Sequence, residues 1–212
     1  MKEMFDKKLL VEGKNDLHVI AALCEYYHLP ENFDIIDCES KDNVLTQLKL
    51  RLKDPLKNRT VGVVLDADTN ICSSWASVEP ILKQANNYDN SRIYIEQEGT
   101  VIPAIKAEDA SVGVWLMPNN KTNGMLEDFV ASLAPANDIL MGKAEEALEK
   151  LEKEKIHRYK DVQRSKAKIH TYLAWNDEPG LPMGSAITAR ILDPSTKSAQ
   201  LFVDWLKRCF SD

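Results

Sequence analysis

Residues 60–68 read TVGVVLDAD, and the fold turns on how this stretch is read. From Val61 to Leu65 it is apolar or small at consecutive positions, not alternate ones. A strand with one face in water alternates. A strand buried on both faces is a continuous apolar run, and such strands belong to parallel sheets with helices on each side. The run stops at two acids, Asp66 and Asp68, and a helical pattern follows from Trp75 to Ala85.

The same strand-then-helix rhythm extends in both directions. Upstream, KLLV (8–11) predicts a strand, and Asp16 to Tyr27 a helix with apolar residues at 17, 20, 23, 24 and 27. FDIIDC (33–38) predicts a third strand, and Asn43 to Leu52 a helix with apolar 44, 45, 48 and 52. Downstream, RIYIEQE (92–98) and TVIPAI (100–105) alternate or break at Pro103, which predicts a hairpin at the sheet edge. VGVWLMP (112–118) is another buried strand, stopped by Pro118 and the turn-rich NNKTNG (119–124). From Met125 onward the pattern is helical, apart from LAWNDEPGLPMGSAI (173–187), whose prolines and glycines predict an irregular loop. The expected architecture is α/β: residues 1–134 form a parallel sheet flanked by helices, and residues 135–212 form a helical extension packed on it.

Composition narrows the functional classes. The chain has 212 residues, 44% hydrophobic and 28% charged, enough for one sizeable core. No apolar run approaches the roughly 20 residues of a membrane helix, and MKEMFDKK (1–8) carries no apolar signal region, so a cytoplasmic location without membrane attachment is expected. Cys24, Cys38, Cys72 and Cys209 form no C-x-x-C pair and are expected as reduced thiols; the histidines show no zinc spacing. The net charge of −6 argues against a globally basic nucleic-acid binder. Lys153 to His170, however, holds seven Lys/Arg against two acids.

In an open parallel sheet, ligands bind beyond the carboxyl ends of the strands. Three acidic clusters fall there: Glu12 with Asp16, Asp66 with Asp68, and Glu127 with Asp128. Adjacent strands lie about 4.8 Å apart, so these acids converge. Crowded carboxylates raise one another's pKa, and a hard divalent cation such as Mg²⁺ or Mn²⁺ relieves the repulsion. Asp16, Glu127 and Asp128 also suit the first turn of a helix, at about 0.3–1 kcal/mol each. Glu12 fits no cap or turn.

LLVEGKND (9–16), VVLDADTN (63–70) and GMLEDF (124–129) together resemble the motif set of the Toprim domain. That catalytic module is shared by bacterial primases, topoisomerases and OLD-family (overcoming lysogenization defect) nucleases. The Glu12/Asp16 pairing and the later Glu127 are most similar to the nuclease branch. The resemblance implies a Toprim-like Rossmannoid sheet and a Mg²⁺- or Mn²⁺-dependent nuclease acting on DNA or RNA. Glu12 would then be a metal ligand or general acid/base, with Asp16, Asp66, Asp68 and Glu127 as further metal ligands. The branch also uses a lysine from a later helix, for which QRSKAKIHTYLAW (163–175) offers Lys166 first and Lys168 second.

EGKND lacks the upstream glycine of a phosphate loop, so an ATPase partner would act in trans. A non-catalytic Toprim module serving such a partner is the alternative. A haloacid-dehalogenase-like phosphatase is a second, prompted by Asp-x-Asp at 66–68, although Asn70 stands where that family has threonine. In the basic run, Arg158, Lys160, Arg164 and Lys166 are candidate phosphate contacts, or else a solvated helix face. Trp175 is a candidate for base stacking or for the core. The last helix either docks on the domain or mediates a homodimer.

Overall fold

The computed structural model describes residues 3–54 and 59–211. Among these residues, five strands form one sheet: β1 (Lys7–Val11), β2 (Asp34–Asp37), β3 (Thr60–Asp66), β4 (Thr100–Ile102) and β5 (Ser111–Met117). Their order is β2-β1-β3-β5-β4, parallel except for β4, which runs antiparallel at one edge. The first six residues of β3 are buried, as its continuous apolar run requires for a strand covered on both faces.

The two faces are built from alternate residues of the same strands. Leu9 and Val11 of β1 face α1 (Lys14–Tyr26), whereas Leu10 faces α2 (Lys41–Arg51) and α3 (Ile71–Ala85). Successive crossovers step first to one side of β1 and then to the other, which puts α1 and α2 on opposite faces.

The chain from residue 135 closes the α1 face of this sheet. It contributes α5 (Ile139–Lys153), α6 (Arg164–Ala174), α7 (Met183–Thr188) and α8 (Lys197–Phe210), after α4 (Leu126–Ala131). One hydrophobic cluster contains Leu9, Val64 and Trp115 from the strands, together with Phe202, Trp205 and Phe210 from α8. Gly62 and Gly113 are register partners on β3 and β5. A Cβ on Gly62 would lie 2.9 Å from the Phe210 ring, and one on Gly113 would run into Cys209 Sγ. The glycine pair therefore lets α8 rest on bare sheet backbone. Trp205 Nε1 then donates to the Thr100 carbonyl at 3.1 Å, tying α8 to β4. All four cysteines are free; Cys38 and Cys209 are buried, Cys24 is half-buried and Cys72 is exposed.

Two expectations need correction. RIYIEQE (92–98) is not a strand: a 3₁₀ turn, Asn90–Arg92, leads into it. The Thr100 hydroxyl accepts from the Glu96 N–H at 3.0 Å and donates to the Tyr94 carbonyl at 2.9 Å, so this stretch closes on itself. The hairpin at the edge is β4–β5. LAWNDEPGLPMGSAI is irregular only in its middle, because α6 runs to Ala174 and α7 begins at Met183. Gly184 sits inside α7 for packing, since a Cβ there would lie 2.7 Å from the His18 carbonyl of α1. Among the described residues, no helix is long and apolar enough to cross a membrane.

Candidate functional site

The opposite crossovers make the carboxyl ends of β1 and β3 a topological switch point, where open α/β sheets bind ligands. Glu12 immediately follows β1, and Asp66 ends β3. Glu12 Oε1 accepts from the Asp66 N–H at 2.7 Å. Asp66 Oδ1 in turn accepts from the Leu126 N–H at 2.8 Å. That bond occupies a free donor at the start of α4 and seats the helix against the strand end. Glu127, the next residue, is thereby carried to the rim. Asp16 arrives from the first turn of α1, and both Asp16 and Glu127 are buried. Glu12, Asp16, Asp66 and Glu127 line one open cavity of about 520 Å³, with Asp37 and Glu39 from the end of β2 and Lys166 from α6. A larger groove of about 660 Å³ lies beside α1 and β2, lined mostly by apolar side chains, and does not include these residues.

The acids of the cavity are crowded. Burial pushes the Asp66 carboxyl up to about 8, and the charges of Glu12 and Asp16 push the same way. Burial pushes Asp16 up to about 7, again with Glu12 contributing. Burial also raises Glu12, opposed by the Asp66 N–H and the charge of Lys41. Among the described residues, no three His, Cys, Asp or Glu side chains close on a single point as a metal group. The side chains that could hold a metal here, Glu12, Asp16, Asp66 and Glu127, all offer hard carboxylate oxygens, the ligand type of Mg²⁺ and Mn²⁺.

The expected site residues divide. Glu12, Asp16, Asp66, Glu127 and Lys166 share the cavity. Lys166 Nζ lies 3.9 Å from Glu127 Oε1, on a half-exposed side chain. The lysine is placed by its neighbour: Ser165 Oγ donates to Asp128 Oδ1 at 2.6 Å, while Asp128 Oδ2 accepts from the Met125 N–H at 2.9 Å. Asp68 is not among the residues lining the cavity. It has φ +52°, and its carboxylate meets Lys41 Nζ at 2.7 Å. Lys168 pairs with Glu145 at 2.7 Å, and Arg164 bridges Glu145 at 2.5 Å and Glu152 at 2.7 Å, fastening α6 to α5. Arg158 and Lys160 are exposed, and Trp175 is 45% exposed at the end of α6.

Three participants went unmarked in the sequence. Lys41 begins α2, while Asp37 and Glu39 end and follow β2. All three lie at a strand end on the same rim, but only the observed order puts β2 beside β1. A fourth, Asn123, staples the loop after β5 to the loop after β3. Its Nδ2 donates to the Thr69 carbonyl at 2.7 Å, and its Oδ1 accepts from the Ile71 N–H at 2.9 Å.

The sequence matches, over residues 6–211, the family described as "Protein of unknown function (DUF3226)". No curated protein matches the chain. A solved structure of the C-terminal region of the Xanthomonas campestris pv. campestris OLD protein is similar across 98% of this chain and 97% of that one. Its TM-score is 0.50, at 13% identity. A second structure of that region covers 93% of this chain and 82% of that one, with a TM-score of 0.42 at 15% identity. At this identity the first likeness establishes a shared α/β fold.

Proposed function

The chain belongs to the DUF3226 family, and we propose that it is a Toprim-type, Mg²⁺- or Mn²⁺-dependent enzyme that cleaves phosphodiester bonds in DNA or RNA. The observation that carries this reading is the meeting of Glu12, Asp16, Asp66 and Glu127 in one cavity at the switch point, with Lys166 beside it. The likeness to the OLD C-terminal fold supports it.

A bound divalent cation would supply an activated water and stabilise the leaving oxygen of a phosphodiester. The chain's own residues account for the rest. Glu12 is held by the Asp66 N–H, so its second oxygen is free to take a proton from water at a fixed place. Lys166 offers an ammonium to the phosphate, where negative charge grows during displacement. Arg158 and Lys160, exposed in the basic run, hold the nucleic-acid backbone without reading sequence. Arg164 and Lys168 hold α6 in position through Glu145 and Glu152.

Plasmid DNA and single-stranded RNA, incubated with the protein and Mn²⁺, test the reading. Cleavage should appear, stop with chelator, and fall on the order of 100-fold or more in Glu12→Gln. Gln keeps an oxygen for the Asp66 N–H, so the fold is spared. Intact DNA and RNA in every divalent cation would overturn the proposal. A second reading is a nucleic-acid-binding module for a partner ATPase, for which Arg158 and Lys160 stay exposed in the basic run. Nucleic-acid binding that survives Glu12→Gln, without cleavage, would favour it.

A further inference from the structure

Asp68 stands two residues past the end of β3, yet its carboxylate is already engaged. Lys41 Nζ donates to Asp68 Oδ2 at 2.7 Å, to the Asp66 carbonyl at 2.8 Å and to Ser74 Oγ at 2.8 Å. A lysine ammonium has three donors, and all three are engaged. The receiving groups are themselves fixed. Ser74 is buried and its hydroxyl lies 3.0 Å from the Asp66 carbonyl. The Asp68 N–H and carbonyl both bond Gly124 at 2.8 Å, which locks its backbone at φ +52°. Lys41 is fixed from its own side, as the first residue of α2 behind the Ser40 cap. Asp66 is thus engaged on two sides: its carboxylate lines the acidic cavity, while its carbonyl faces an ammonium that, like Asp68, does not line it.

We propose that Lys41 stands in place of a second cation: it neutralises Asp68 and leaves a cavity that holds a single divalent ion on Asp16, Asp66 and Glu127, with Glu12 beside it as the base. This rests on the metal reading of the cavity given above. A compact ammonium suits the task, since its three N–H donors reach three acceptors around one point charge, unlike the flat fork of a guanidinium. Lys41 is therefore a positioning residue. It sets how many ions the rim takes and holds the Asp66 peptide, and it does not touch the substrate.

Mn²⁺ titration of the intact chain, followed by calorimetry and by electron paramagnetic resonance of free Mn²⁺, separates the possibilities. Wild type should bind one Mn²⁺ per chain, and Asp66→Asn should weaken that ion by about tenfold or more. Asp68→Asn should leave the ion in place with its affinity within about twofold, since Asp68 is no ligand. Lys41→Met, similar in length and uncharged, should release Asp68 and admit a second Mn²⁺.

The role of Lys41 is overturned if Asp68→Asn weakens the first ion tenfold, if folded Lys41→Met still binds one, or if wild type binds two. The metal reading of the rim survives any of those results. If wild type binds no Mn²⁺, both fall together. Circular dichroism reports whether Lys41→Met folds, and if it does not, Asp68→Asn decides alone.

Discussion

The carboxylate rim and the α5–α6 seam use the same kinds of charged residue to opposite ends. At the seam, Glu145 and Glu152 each meet Arg164, Lys168 completes the set, and Glu152 also accepts from Tyr159 at 2.7 Å. These pairs hold the Glu145 and Glu152 carboxyls below their ordinary range, with Arg164 the largest cause in each case. At the rim, burial and mutual repulsion push Asp16 and Asp66 the other way. Of the cations near it, Lys14 lines the cavity, Lys41 is turned to Asp68, and Lys166 stands 3.9 Å from Glu127. Matched charge marks structure. Carboxylates crowded in a cavity at a switch point are what the proposed cation would answer.

The sharpest way to break this contrast is to remove one charge from each region. Glu12→Gln should abolish Mn²⁺-dependent cleavage and, in chelator at pH 8, raise the melting temperature above wild type, because one repelling carboxylate is gone. Arg164→Met should do the reverse. It should lower the melting temperature by a few degrees at most, as expected for partly exposed ion pairs, and leave the chemical step in place. If Glu12→Gln melts below wild type in chelator, the rim is a stabilising network and the comparison collapses.

Titration is the next measure. In the folded chain Asp66 keeps its proton up to about pH 8 and Asp16 up to about pH 7. In the unfolded chain both lose theirs near about pH 4. Between those limits the folded state binds more protons, so stability falls as pH rises from about 4 through about 8. Glu3 has the opposite sign: Arg51 and Lys8 hold its carboxyl at about 2, so its contribution is present above about pH 4 and lost in stronger acid. Thermal melts in chelator should therefore drop steadily from pH 5 to pH 8.5, and millimolar Mg²⁺ should recover the loss at the alkaline end. A melting temperature flat over that range, or one that Mg²⁺ leaves unmoved, would count against bare carboxylates.

Much of this was legible in the sequence because it depends on strand ends. Val61 to Leu65 gave a strand buried on both faces, and whatever follows such a strand lies on the binding edge. Glu12, Asp66 and Glu127 were placed on that edge in this way, and they line one cavity there. Asp68 was expected beside them, and position alone does not show that a left-handed residue turns its carboxylate to Lys41 of α2. Lys41, Asp37 and Glu39 were invisible because local pattern carries no strand order. Residues 135–212 were expected as a helical extension packed on the sheet domain, but an amphipathic helix reveals only that it buries a face, not which face of the sheet it covers. Gly62 and Gly113, seats for α8, look in sequence like any strand glycine.

The smallest effect is expected where the two regions meet the basic run, and it separates charge that binds from charge that braces. Arg158 and Lys160 are exposed, and no ion pair engages them among the described residues. If they grip phosphates, each releases about one counterion on binding. Arg158→Ala should then reduce the slope of log affinity against log salt by about one, weaken binding equally for unrelated sequences, and leave the melting temperature unchanged. Arg164→Met, whose charge is matched by Glu145 and Glu152, should leave that slope as it is. An equal loss of slope in both variants would mean that the seam also faces nucleic acid, and that pairing with carboxylates does not withdraw an arginine from the binding surface.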